Sequence, residues 1–181
     1  MGKKLLTAII VFLTAFLVYG ILINRDSKTN SPSYMKTVNN IDTLVSDQKN
    51  SLSKYSIREA DINGESTEGG LIKGYYKGNV LMVIEASIFG EMGKKEYEIY
   101  FIKQDFTYCI ERNMEYDKPV YDSSSNIKDT RVIRYVLVGN RVYEHNRDRR
   151  TLSKIDKSNP INEVINDFVT TLSENNSGLE D

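Results

Sequence analysis

The spacing of turn signals between Leu71 and Arg112 constrains this chain more than any other feature of it. Gly78-Asn79 has the glycine-first order of a type II′ hairpin, Gly90-Glu91-Met92-Gly93 makes a second turn, and Gln104-Asp105 a third. Loop length fixes which residues oppose each other in an antiparallel ladder, so the registers follow. Tyr75 is expected opposite Met82, Met82 opposite Phe101, and Phe101 opposite Tyr108. The same registers align Ile84, Ile99 and Ile110, and then Ala86, Tyr97 and Arg112, as one apolar face. On the other face they place Glu85, Glu98 and Glu111 in one row, with Glu96 two residues from Glu98.

The flanking segments supply what such a sheet needs to bury its apolar face. Tyr34, Val38, Ile41, Val45 and Leu52 recur at helical spacing, and Tyr55 to Ile62 reads as a weak first strand. Arg131 to Val138 and Arg141 to Asn146 flank Gly139-Asn140, a repeat of the turn at Gly78-Asn79. Ser158-Asn159-Pro160 is a helix start, and Ile161, Val164, Ile165, Phe168, Val169 and Leu172 then follow the i, i+3, i+4, i+7 rule. The fold class expected is α+β: an antiparallel β-meander of about six or seven strands between an N-terminal and a C-terminal helix.

Ahead of this domain, Leu5 to Ile23 is uncharged and follows Lys3 and Lys4. As a helix rising about 1.5 Å per residue it would span the ~30 Å bilayer core, and it exceeds the usual apolar length of a cleaved signal peptide. The expected organisation is a basic tail (1–4), a single transmembrane anchor or uncleaved signal (5–23), a linker (24–33), an extracytoplasmic domain (34–174) and a polar tail (175–181). The expected location is the membrane, single-pass, with the C-terminal domain outside.

Charge balance narrows the partners. With 24 basic and 25 acidic side chains the net charge is −1, which gives no reason to expect nucleic acid. Cys109 is the only cysteine, so an intramolecular disulfide is excluded. Glu68-Gly69-Gly70, Gly74-Tyr75-Tyr76-Lys77-Gly78-Asn79, Phe89-Gly90-Glu91-Met92-Gly93-Lys94 and Tyr116-Asp117-Lys118-Pro119-Val120-Tyr121 resemble the turns of a scattered group of bacterial exported proteins with repeated Tyr-Tyr-x-(Asp/Asn)-Gly hairpins. The resemblance implies a fold and a location at the cell envelope; it brings no reaction or ligand.

Three sets of residues are candidates for function. Glu85, Glu98 and Glu111 could hold a hard cation, since Ca²⁺ takes several carboxylate oxygens at once, or serve an envelope hydrolase. Arg131, Arg134, Arg141 and Arg147, interleaved with Tyr135 and Tyr143, suit an anionic lipid or wall polymer. Cys109 and His145 are the one thiol and the one imidazole available for a dyad. Asp61-Ile62-Asn63-Gly64-Glu65 lacks the spacing of a calcium loop and reads as a turn. No pattern supplies a nucleophile, a base and an orienting group together. The reading expected is therefore a non-enzymatic, membrane-anchored binding or interaction module without a cofactor, its partner an envelope protein or an anionic polymer.

Overall fold

The hairpins form where the turn residues place them. Gly78 and Gly139 adopt φ of 62° and 53°, while Asn79 and Asn140 stay out of the left-handed region, the type II′ pattern. The computed structural model describes residues 32–62, 68–155 and 159–174. Its helices are α1 (Pro32–Asn39), α2 (Ile41–Ser51) and α3 (Ile161–Glu174), with a 3-10 turn at Leu52–Lys54. The strands are β1 (Ser56–Ile62), β2 (Gly70–Lys77), β3 (Val80–Gly90), β4 (Gly93–Lys103), β5 (Phe106–Tyr116), β6 (Ile127–Val138), β7 (Arg141–Asn146) and β8 (Thr151–Lys154). They make one sheet in sequence order, antiparallel throughout. The chain divides into two compact units between Ile41 and Asp42; the sheet and α3 belong to the second.

Several expectations are corrected. The sheet has eight strands rather than six or seven. The added strand, Thr151-Leu152-Ser153-Lys154, has only one apolar residue and so no alternation to reveal it. The single N-terminal helix is two, parted at Asn40, whose N–H reaches back to the carbonyls of Lys36 and Thr37. Among the described residues no helix is long and apolar enough to cross a membrane, which overturns the transmembrane anchor as part of the observed fold. The run Leu5 to Ile23 on which that expectation rested lies outside the described residues, as do most of the turn after Ile62 and the polar tail.

Two β-bulges change which residues share a face. Next to the first turn Tyr76 opposes Leu81, the register expected. Between Tyr75 and Tyr76 the ladder slips by one, so Tyr75 meets Val83 instead of Met82. The β3–β4 register is as expected, with Ile84 opposite Ile99 and Glu85 opposite Glu98. In β4–β5 Lys103 pairs with Phe106, and then a bulge at Ile102 puts Phe101 opposite Thr107 and Ile99 opposite Cys109. An extra residue flips every side chain beyond it to the other face. Ile110 and Arg112 therefore leave the expected apolar face, and Cys109 and Glu111 join it.

Helix α3 covers this face. Ile161, Ile165, Phe168 and Leu172 are buried against a cluster that includes Ile72, Ile84, Ile99 and Cys109, and the Phe168 ring meets Tyr97 edge-on at 5.4 Å. Each large apolar side chain so buried contributes roughly 1.5–3 kcal/mol. Gly74 permits the close approach: a Cβ there would stand 2.8 Å from Leu172 Cδ1. The opposite face buries Val83, Tyr100, Tyr108 and Val136. Helix α2 is tied to it by Gln48 Nε2, which donates to the Phe101 carbonyl at 3.2 Å, and by ion pairs from Lys49 to Glu98 and Asp42 to Arg147.

Candidate functional site

The glutamate row is split by the bulge at Ile102. Glu85 and Glu98 stand directly opposite each other on the α2 face, while Glu111 lies opposite Tyr97 on the α3 face. Like charges in register cost stability unless something offsets them, and here each carboxylate is answered. In the row across β1 to β4, Glu59, Lys73, Glu85 and Glu98 follow one another. Lys73 Nζ is 2.7 Å from Glu59, and both Glu59 and Glu85 hold its ammonium pKa above the ordinary value. The Tyr75 hydroxyl donates to Glu85 at 2.7 Å. Glu98 receives Lys49 at 2.7 Å, Arg112 at 2.6 Å and the Tyr100 hydroxyl.

Burial alone would raise the Glu98 pKa, but the hydrogen bonds from Lys49, Tyr100 and Arg112 outweigh it and the pKa lies below the usual carboxylate value. Burial and the neighbouring carboxylates push Tyr75 up to about 12 and Tyr100 higher still. The pair is thus a neutralised ionic network. Among the described residues no group of three or more His, Cys, Asp or Glu side chains is placed to hold a metal ion.

The other candidates are also dispersed. Arg131 opposes Asn113 and Arg134 opposes Ile110, so their side chains leave opposite faces of β6. Arg141 opposes Val138, and Arg147 is engaged with Asp42 at 3.2 Å. Cys109 lies on the α3 face, fully buried, and burial carries its thiol pKa well above the usual value. His145 is on the α2 face beside Tyr108, whose hydroxyl is 3.4 Å from Nδ1. The sheet stands between the thiol and the imidazole.

What the structure does assemble is a cavity of about 550 Å³ on the α3 face, between the ends of the central strands and the start of α3. Its lining includes Ile88, Lys95, Glu111, Asn113, Tyr135 and Val164. Asn113 Nδ2 donates to Glu111 Oε1 at 2.6 Å, and Tyr135 is hydrogen-bonded to both Glu111 and Asn159. Burial, and secondarily the Glu111 charge, raise the Tyr135 pKa to about 12, which keeps the phenol protonated. Asn159 also caps α3, its Oδ1 accepting the Ile161 N–H at 3.0 Å. No family model matches the chain, and no curated protein and no solved structure is found similar to it.

Glu111 differs from Glu98, which holds two cations, and from Glu85, which stands opposite Lys73 in the ladder. Among the described residues it has no ion-pair partner; its hydrogen bonds come from neutral groups. Asn113 Oδ1, the other end of the amide that holds Glu111, is buried without a partner. Of these cavity residues the sequence singled out Glu111, for the wrong face, and Tyr135, as part of the basic tract rather than of this site. Asn113 was in reach of sequence reasoning, because it is two residues along the same strand and so shares a face with Glu111. Tyr135 and Asn159 carried no comparable signal, since α3 meets β6 only in the folded chain.

Proposed function

We propose that the domain is a non-enzymatic binding module that takes its ligand in the cavity between the sheet and α3. The observation that carries this reading is Glu111, a carboxylate without an ionic partner in a cavity of about 550 Å³, within the roughly 300–1,000 Å³ of small-molecule sites. Glu98 does not compete with it, because a carboxylate already holding Lys49 and Arg112 has little to offer a ligand, and Glu85 is engaged by the Tyr75 hydroxyl on the other face of the sheet. A hydrolase built on Glu85, Glu98 and Glu111 would need those carboxyls around a shared opening, and Glu111 faces away from the other two. Work at the cell envelope belongs to the same reading; its support is the resemblance of the turns to those of exported proteins.

The test is a small-molecule screen of the full chain by amide and side-chain NMR. Saturable shifts confined to Ile88, Lys95, Asn113, Tyr135 and Val164 support the reading. Shifts clustered instead at Glu85, Glu98 and Arg112, or none at the cavity, would refute it.

A further inference from the structure

We propose that the cavity recognises a small zwitterion carrying an apolar side chain, of the class of the apolar α-amino acids. The inference rests on the reading of the cavity as a binding site and adds the chemistry of its ligand. In the register of the sheet Ile88, Lys95 and Asn113 form one row, and Ala86, Tyr97 and Glu111 form the next. Lys95 and Glu111 are therefore diagonal neighbours on one face, a spacing that long side chains can bridge. They do not pair with each other, and among the described residues neither has an ionic partner. The other lysine at the rim, Lys94, points to the opposite face and is held by Glu96 at 2.6 Å.

Apart from Glu115 and the engaged Lys94, both of which also line it, the cavity offers Glu111 and Lys95, separately supported. Glu111 accepts from the Asn113 amide and is hydrogen-bonded to the Tyr135 hydroxyl, and a carboxylate has further lone pairs to offer an ammonium. Lys95 is an exposed ammonium whose flexible stem can follow a carboxylate. Between them and α3 the wall is apolar, formed by Ile88, Ile161 and Val164. A singly charged ligand would leave either Glu111 or Lys95 without a counter-charge. A zwitterion answers both, and its side chain removes the apolar wall from water.

The test compares leucine with isoamylamine, which lacks the carboxylate, and 4-methylpentanoate, which lacks the ammonium. Binding to the full chain is followed by calorimetry and by the NMR signals of Lys95, Asn113 and Val164. Leucine is expected to bind at least about tenfold more tightly than either analogue. In Glu111→Gln the advantage over 4-methylpentanoate should vanish; in Lys95→Gln, the advantage over isoamylamine. The Lys95 change alters an exposed side chain, so its result does not depend on the fold tolerating a new buried group. Equal binding of leucine and either analogue overturns the zwitterion while leaving the cavity as a binding site. If none of the three shifts the cavity signals, and the broader screen also leaves them unmoved, the binding-module reading falls with it.

Discussion

Lys49 and Glu98 join helix α2 to strand β4 through a 2.7 Å contact, and Arg112 holds the second carboxylate oxygen at 2.6 Å. The Glu98 side chain is only 15% exposed, Lys49 45%. Removing the buried partner leaves a guanidinium and an ammonium without their counter-charge, whereas removing the exposed one does not. Glu98→Gln should therefore cost about 1–3 kcal/mol and Lys49→Ala no more than about 1 kcal/mol in urea unfolding at neutral pH. The pH dependence follows from the lowered Glu98 pKa. A depressed carboxylate pKa gives stability that is present above the ordinary value of 4.5 and is lost as pH falls through the folded value. Glu98→Gln should flatten that acid limb; a variant as acid-sensitive as the parent would show that other carboxylates set it.

Ile102 is the residue in excess on β4, since Lys103 pairs with Phe106 and Phe101 with Thr107 on either side of it. Deleting it joins those two pairs directly and leaves Ile99 opposite Cys109 and Tyr97 opposite Glu111, so Glu111 stays on the α3 face. The deletion variant is expected to keep cooperative unfolding and native near-ultraviolet dichroism. Loss of either would mean that the ladder does not close over the missing residue.

How far the sequence could be read depends on the range over which each signal acts. The hairpins at Gly78-Asn79 and Gly139-Asn140 and the stripe from Ile161 to Leu172 were legible because turn chemistry and helical periodicity are local. Registers read outward from the turns were right beside each turn and wrong beyond Tyr75 and Ile102, because a bulge has no composition signal when neither position is glycine. The candidate site inherited that error. Glu111 was singled out as the third member of a row it does not join; its partner Asn113 follows from strand alternation, whereas Tyr135, and Asn159 bonded to it, depend on how β6 and the start of α3 come together. β8 was hidden for a different reason, since a short edge strand with one apolar residue has no alternation to show.

His145 is buried against Tyr108, their rings edge-on at 5.8 Å. Burial, which outweighs the attraction of Asp42 and is reinforced by Arg134 and Arg147, holds its pKa below 6.5. The unfolded chain then binds a proton in a window where the folded chain does not, so stability falls as pH drops from 6.5 towards the folded value. Unfolding midpoints measured between pH 7 and pH 5 should decline in the parent and change less in His145→Gln. Equal slopes would assign the decline to other groups.

Gly93 sits where β4 begins, opposite Glu115, and a Cβ there would stand 2.2 Å from the backbone carbonyl oxygen of Met114. That oxygen belongs to a strand and cannot rotate away as a side chain could, so Gly93→Ala must part β4 from β5 and should cost about 1–3 kcal/mol. Gly78→Ala provides the contrast. Its Cβ meets nothing within 4 Å, and only the φ of 62° resists it, so about 1 kcal/mol is expected. The strain at Gly93 should be local as well as larger. The Tyr116 amide, which donates to the Met92 carbonyl at 2.8 Å, closes the same end of the ladder and should exchange faster with solvent in Gly93→Ala but not in Gly78→Ala. Because Gly93 also lines the cavity, parting the strands there moves Asn113 and Glu111, and leucine binding should weaken in Gly93→Ala alone.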